Sequence, residues 1–256
     1  MSTQSVVTAM RVLEAVSDNQ PAGLSEISRE VDVPKATVLR MLRTLGELGW
    51  VAQSEGQAGK WLLTNHAFAV ASRGSSGSAI RDAAMGPLNG LQLDTTETVH
   101  LAVPDRRFML VLERLDTPHV LRAFLPLGSR VPMHASATGI AYLAAAEESY
   151  VEEYLSVPLD AVTPQTVVDP PSLRQLIADT QVRGFSINEQ GLSTGITSIG
   201  VAFLGPGQAP AGSISISGPS SRIVREKFDE YGQAAIGAAR DISRALSAYS
   251  TKLHPA

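Results

Sequence analysis

Three sets of residues in this 256-residue chain are spaced so that they could do chemistry together. The first lies between Lys35 and Leu48. Turned at about 100° per residue, this stretch puts Val38, Met41, Leu42 and Leu45 on one side and Ala36, Thr37, Arg40, Arg43 and Thr44 on the other. The aliphatic side reads as a core face. The opposite side carries two guanidinium groups beside small residues, with Lys35 at its start. Small residues let a helix approach a phosphate or a thymine methyl, and arginine reaches phosphates or pairs twice with guanine. Lys35, Ala36, Thr37, Arg40, Arg43 and Thr44 therefore form a candidate DNA-reading surface.

The second set lies in the other half of the chain. Ser136 precedes Ala137-Thr138-Gly139 at the start of an apolar helical stretch. A helix start offers unpaired N–H groups and a positive dipole end, which hold an anion without lysine or arginine. Ser215 and Ser217 lie two apart in an extended run, so both hydroxyls can donate to one carboxylate from one face. On spacing alone another reading stands beside this one: Ser213, Ser215 and Ser217 occupy the solvated face of an edge strand. The third set, Gly191-Leu192-Ser193-Thr194-Gly195, fits the Gly-x-Ser-x-Gly pattern of hydrolases. A nucleophile elbow needs a helix after it, whereas Ile196 to Leu204 reads as a strand, and the only later histidine, His254, is in the terminal tail. The context argues against a catalytic triad.

Other chemistries are set aside by composition. The chain has no cysteine, which removes disulfides, thiolate nucleophiles and cysteine metal sites together. His66, His100, His119, His134 and His254 show no ligand pair at helical or hairpin spacing, so no metal is expected. His134 reads as structural, or at most as part of a pocket wall. No dinucleotide or phosphate-loop glycine pattern is present, so no cofactor is expected. Hydrophobic residues make up 44% and charged residues 18%, enough apolar material for folded cores rather than disorder. No apolar run approaches the ~20 residues of a membrane span and no export signal is visible, so a cytoplasmic protein without a membrane partner is expected. The net charge of −4 argues against bulk attraction to nucleic acid. Residues 1–73 balance seven basic side chains (Arg11, Arg29, Lys35, Arg40, Arg43, Lys60, Arg73) with seven acidic ones (Glu14, Asp18, Glu26, Glu30, Asp32, Glu47, Glu55). Arrangement rather than excess must carry any DNA binding.

These sets need elements to position them. Val6, Val7, Met10, Leu13 and Val16 recur at helical spacing in a first helix. Ser25 is placed to cap a second helix carrying Ile27 and Val31, and Asp32-Val33-Pro34 turns into a third, from Lys35 to about Leu48. Two short helices across a tight turn make a helix-turn-helix. Gly49 ends the third helix, and Trp50–Ala52 and Lys60–Leu63 read as a two-stranded wing against which both tryptophans are expected to pack. Asn65 to Arg73 extends as a helix, and Gly74-Ser75-Ser76-Gly77-Ser78 has the composition of a flexible linker. Length favours two domains: a winged helix-turn-helix over 1–65, a junction over 66–80 and a second domain over 81–256.

In that second domain Ala79 to Leu93 is helical, with Pro87 either kinking it or starting a new helix. Thr98–Val103, Phe108–Leu115 and Val120–Leu125 read as antiparallel strands, and Leu127–Pro132 as a loop. Ala137–Ala146 and Ser172–Arg183 read as helices, and Phe185–Ile187, Ile196–Leu204 and Ala211–Ser217 as strands. Val224, Phe228, Tyr231, Ala235, Ala238, Ile242, Ala245 and Tyr249 mark the stripe of a closing helix. The fold class is α+β: a winged helix-turn-helix followed by an antiparallel sheet flanked by helices, a GAF-like sensor architecture.

Two separated segments carry a family resemblance. The run Val33-Pro34-Lys35-Ala36-Thr37-Val38-Leu39-Arg40-Met41-Leu42-Arg43-Thr44-Leu45, followed by Leu48-Gly49-Trp50-Val51, resembles the recognition helix and wing of IclR-type regulators. So does Gly128-Ser129-Arg130-Val131-Pro132-Met133-His134-Ala135-Ser136-Ala137-Thr138-Gly139 in the second domain. The likeness continues through Gly184-Phe185-Ser186, Gly195 and Ser213 to Pro219, and covers nearly the whole chain. It implies a ligand-responsive transcriptional regulator that binds double-stranded operator DNA as a homodimer or homotetramer. It also implies a small organic effector, a carboxylate or aromatic acid, contacted at Gly128, Ala135, Ser136, Asn188, Ser198, Ser215 and Ser217, which tips the serines toward the pocket. The chain departs from the family pattern in carrying Asn188 where aspartate is usual, Ser198 for cysteine and Ile140 for lysine. Gln190 and Gly191 also replace commonly acidic residues. Asparagine donates as well as accepts, whereas ionised aspartate only accepts, so Asn188 removes a repulsion toward an anion. Two other functions fit parts of the sequence: a serine hydrolase using Ser193, and a protein-interaction module whose winged domain serves dimerisation alone.

Overall fold

The computed structural model describes residues 3–72 and 76–253, and the chain divides into two compact units, Met1–Ser75 and Ser76–Ala256. In the first, α1 (Gln4–Asn19), α2 (Leu24–Glu30) and α3 (Lys35–Glu47) close on a core of Val12, Val16, Ile27, Val38, Leu42 and Leu45. Ser25 does not cap α2. The helix starts two residues earlier, at Leu24, Gly23 is the capping position, and Glu26 reaches back to accept from the Gly23 N–H at 2.7 Å. Gly23 is held there because Ala22–Gly23 forms a short strand, β1, paired with Trp61 and Lys60. The turn before α3 is fixed by Ser28 Oγ, which donates to Val33 O at 2.7 Å, and by Asp32 in the left-handed region at φ 52°. Gly49, at φ 80°, ends the third helix and starts the wing, β2 (Val51–Gln53) and β3 (Lys60–Leu63). Trp61 is buried in the core, and the Trp50 ring meets His66 edge-on at 5.4 Å, so both pack as expected. Helix α4 spans Asn65–Ser72.

The second unit is a six-stranded antiparallel sheet in the order β6-β5-β4-β9-β8-β7, formed by β4 (Thr98–Asp105), β5 (Phe108–Leu115), β6 (Arg130–Pro132), β7 (Ser186–Glu189), β8 (Ile196–Leu204) and β9 (Pro210–Pro219). Alternation divides its side chains. Val99, Leu101, Ile199, Val201, Ile214 and Ile216 pack with α5 (Ser76–Thr95) and α9 (Phe228–Leu253) in one core. His100, Ser215 and Gly200 lie in register on the opposite face, as do Thr98, Ser217, Ser198 and Asn188. That face is covered by α6 (Ala137–Ala145), beside which lie α7 (Glu148–Leu155) and α8 (Pro170–Arg183).

Several expectations are corrected here. Ser76–Ser78 opens α5 instead of linking flexibly; the first N–H groups of a helix have no intrahelical partner, so serine and glycine are tolerated there. Gly74 and Ser75, like Arg73 and His254, lie outside the described residues. The helix runs on through Pro87. Segment 120–125 is not a strand, and Val120 is 97% exposed. Its place beside β5 is taken by β6, where a loop was expected, with Met109 opposite Val131. Val224 precedes α9, and the side chain of Tyr249 lies outside the described residues. Helix α7 was not anticipated.

Candidate functional site

The structure leaves one face of α3 bare. Lys35, Ala36, Arg40, Arg43 and Thr44 are exposed and Thr37 is half-buried, while Val38, Leu42 and Leu45 are buried beneath. Met41, expected on the core side, is half-buried. Among the described residues, Lys35, Arg40 and Arg43 form no ion pair. Pro34 occupies the cap position without a side-chain cap, and the first hydrogen bonds run from Thr37 and Val38 N–H to Pro34 O at 2.9 and 3.1 Å. The N–H groups of Lys35 and Ala36 thus precede the ladder and point off the helix start. A face with free cations, small residues and open N–H groups is complementary to a phosphate backbone and the base edges beside it.

The second site lies between the sheet and the start of α6. Ser136 Oγ accepts from Gly139 N–H at 3.1 Å and donates to Pro132 O at 3.0 Å, so the expected cap is in place. The first helical bond, Ile140 N–H to Ser136 O at 2.9 Å, leaves the N–H groups of Ala137 and Thr138 ahead of the ladder. Two glycines let this helix start pack closely, Gly139 against the turn before it and Gly200 of β8 beneath it. A Cβ on Gly139 would run into the Met133 backbone, and one on Gly200 would meet Ala137 O at 2.5 Å. Ser186 Oγ clamps the contact by donating to Ala137 O at 2.7 Å.

Between them is a two-lobed cavity. One lobe, about 20 Å³, is bounded by Ser136, Ala137, Thr138 and Ser215; the other, about 30 Å³, by Phe124, Asn188, Ser193 and Ile196. His100, Leu125, Leu192, Ser198 and Ser217 line both. The serines are not on a solvated edge: β9 is an interior strand, and Ser213, Ser215 and Ser217 are buried. Ser198 Oγ donates to Ser217 Oγ at 2.9 Å, and Ser217 lies 3.4 Å from Ser215 Oγ.

Of the expected contacts, Ser136, Asn188, Ser198, Ser215 and Ser217 come together on this cavity, whereas Gly128 and Ala135 do not line it. Gly128, at φ 80°, donates its N–H to Val111 O at 2.9 Å and anchors the segment covering the cavity. Ala135 is buried behind the wall and takes the Asn188 Nδ2 hydrogen bond at 3.1 Å, while Asn188 Oδ1 accepts from Gly191 N–H at 2.9 Å. Asn188 thus ties two loops together through both ends of its amide. Ile140, where the family pattern has lysine, is fully buried.

The cavity residue missed from sequence is His100. It was weighed only as a metal ligand, although the alternation of Thr98, His100 and Ala102 puts it on the serine face. Burial pushes its pKa down to about 4, with the Arg114 guanidinium adding and Asp116 opposing. His134, by contrast, is structural: its Nδ1 meets Tyr154 Oη at 2.7 Å and its Nε2 meets Asp160 O at 3.0 Å. Ser193 sits on an exposed turn leading straight into β8, and among the described residues no imidazole or carboxylate is hydrogen-bonded to it.

A winged helix whose third helix bears exposed cations, followed in the same chain by a helix-flanked sheet enclosing a small cavity, defines a ligand-responsive transcriptional regulator. Known proteins place it more closely. Residues 5–55 match the IclR helix-turn-helix domain, and residues 75–244 match the bacterial transcriptional regulator IclR C-terminal domain. The chain belongs to the IclR family. It is 31% identical over 246 residues to the transcriptional repressor IclR of Escherichia coli K12, covering 94% of this chain and 89% of that protein. It is 32% identical over 235 residues to the repressor AllR of the same strain, covering 91% and 85%. Among solved structures, an IclR homologue from Microbacterium hydrocarbonoxydans complexed with 4-hydroxybenzoate superposes with a TM-score of 0.82 at 28% identity, over 95% of this chain and 99% of that one. The IclR of Thermotoga maritima gives 0.79 at 25% identity, over 95% and 99%. Among the described residues no helix is long and apolar enough to cross a membrane.

Proposed function

We propose that residues 1–65 bind operator DNA through Lys35, Ala36, Thr37, Arg40, Arg43 and Thr44, and that residues 81–256, joined through 66–80, bind a small organic acid. The observation that carries the DNA half is the bare, unpaired arginine face of α3 above a sealed aliphatic core. The acid half rests on the open N–H groups of Ala137 and Thr138 beside Ser198, Ser215 and Ser217, and on the organic acid in the Microbacterium relative. Each lobe has room for a water molecule, so the cavity must widen to hold an acid. Its cover, segment 120–126, has no regular structure and is pinned by side chains reaching its carbonyls: Thr98 to Ala123 at 3.2 Å, Arg114 to Leu125 and Arg222 to Leu121 at 2.9 Å.

The working form is a homodimer or homotetramer, and Val6, Val7 and Met10 are exposed apolar residues on α1 available for such contacts. Effector binding shifts the balance between assemblies whose recognition helices do and do not match the half-site spacing. No catalytic step is assigned: among the described residues no imidazole or carboxylate is hydrogen-bonded to Ser193, and the relatives are repressors. The test is a mobility shift on the chain's own promoter region at low salt, with and without added organic acids. A salt-sensitive complex whose affinity changes with an acid supports both halves. No complex at low salt removes the DNA half, and normal oligomers without DNA affinity at any sequence would favour a protein-interaction module.

A further inference from the structure

One buried side chain of the cavity has no work assigned to it. His100 is 1% exposed and lines both lobes, and among the described residues neither ring nitrogen meets a hydrogen-bond partner. Leaving a buried polar group unpaired costs about 1–3 kcal/mol, and the same fold pairs His134 through both nitrogens. The polar groups around His100 are turned to one another. Ser198, Ser217 and Ser215 form a chain, and Asn188 is spent on Ala135 and Gly191. Arg114, directly opposite His100 on β5, donates Nη1 to Leu125 O at 2.9 Å and Nη2 to Asp116 at 3.2 Å, while its Nε lies at ion-pair distance, 2.9 Å, from Asp116 without the alignment of a hydrogen bond. His100 therefore keeps its hydrogen-bonding capacity free in the wall shared by the two lobes. Held neutral by burial, it presents one N–H and one lone pair.

Resting on the reading that this cavity holds an organic acid, we propose that His100 is a specificity-determining contact which hydrogen-bonds a hydroxyl group of the effector, making the effector a hydroxy acid. Its carboxylate lies at the start of α6 and its hydroxyl at His100. A hydroxyl both accepts from an N–H and donates to a lone pair, so it satisfies the imidazole in either tautomer. A hydrogen in the same place leaves the ring as unpaired as before. A second carboxylate there meets a neutral ring and a guanidinium already paired with Asp116.

The test is calorimetric titration of the full chain at neutral pH with acids that differ by one hydroxyl: 4-hydroxybenzoate against benzoate, and lactate against propionate. In at least one pair the hydroxy acid is expected to bind about tenfold tighter or more, the discrimination a site gains by leaving a buried polar group unsatisfied with the wrong ligand. His100→Phe is expected to abolish that preference while leaving the plain acid within about threefold of its original affinity. His100→Gln, which keeps a donor and an acceptor, is expected to retain part of it and carries the comparison if His100→Phe does not fold. Acids that bind without regard to the hydroxyl, or a preference that survives in both variants, overturn the role of His100 alone. Failure of every acid to bind removes the reading of the cavity as an acid site, and this role with it.

Discussion

The α3 face and the inner face of the sheet each keep polar groups that meet no partner among the described residues, but they leave different things unpaired. On α3 it is charge: Lys35, Arg40 and Arg43 stand in solvent above a sealed aliphatic layer. On the sheet it is neutral hydrogen-bonding capacity, shut in with His100 and the serines of β8 and β9. An exposed cation stays hydrated and loses little while it waits. A buried imidazole is penalised until something pairs with it. The first surface suits a large anionic partner met by diffusion and weakened by salt; the second suits a small ligand chosen by geometry.

The contrast breaks most visibly on α3. Replacing both Arg40 and Arg43 with alanine is expected to cost about 2–6 kcal/mol of DNA binding, taking about 1–3 for each base contact. The melting temperature should hardly move, because neither side chain packs into the core. A mobility-shift titration at fixed salt measures this, and unchanged affinity would remove α3 from the interface.

The inner face should answer to acid. His100 has its folded pKa lowered to about 4 from an ordinary 6.5, so between those values the unfolded chain binds a proton that the folded chain refuses. Stability is therefore unaffected above pH 6.5 and falls as the pH drops toward 4, by on the order of 3 kcal/mol for this residue. Burial lowers His134 as well, which adds a loss of the same sign. Urea unfolding of the wild type and of His100→Gln across this range checks the point, and equal slopes would show that His100 is not held neutral. Gly139→Ala should follow, costing about 1–3 kcal/mol through overpacking against the Met133 backbone. If its urea midpoint is unchanged, the packing of α6 on the Met133 turn before it is looser than the structure has it.

The two surfaces also differed in how far they could be seen in advance. The α3 face is a local property: one helical period sorts Val38, Leu42 and Leu45 from Arg40, Arg43 and Thr44, and the structure keeps that sorting. The serine face was legible by the same means, since a period of two puts Ser215 and Ser217 together, yet only the sheet order shows β9 to be interior. Segment 120–125 reads as a strand because Val120, Leu121, Phe124 and Leu125 have strand-like composition. Its carbonyls are instead taken by Thr98, Arg114 and Arg222, partners that no local pattern reveals. Helix α7 was visible in principle: Val151, Tyr154 and Leu155, all buried, recur at helical spacing. Gly128 belongs to a motif that runs past the cavity, where its N–H to Val111 O holds the segment covering it.

The finest distinction concerns Asn188, where the two ways of being polar meet in one side chain. Its amide donates to Ala135 O and accepts from Gly191 N–H, joining the loop before α6 to the turn after β7. Asn188→Asp keeps the acceptor but sets a carboxylate oxygen against a carbonyl, and adds a negative charge beside the cavity proposed to hold an acid. Protonating the new carboxyl would restore the donor, so the variant's deficit should shrink as the pH falls. At neutral pH the expected result is a few-fold loss of affinity for whichever acid binds the wild type, the smallest of these effects because the site's N–H donors are untouched. Titrating the same acid into both proteins decides it. Tighter binding by the aspartate variant would show that the effector presents a donor rather than an anion to this wall, and the carboxylate would then have to lie elsewhere.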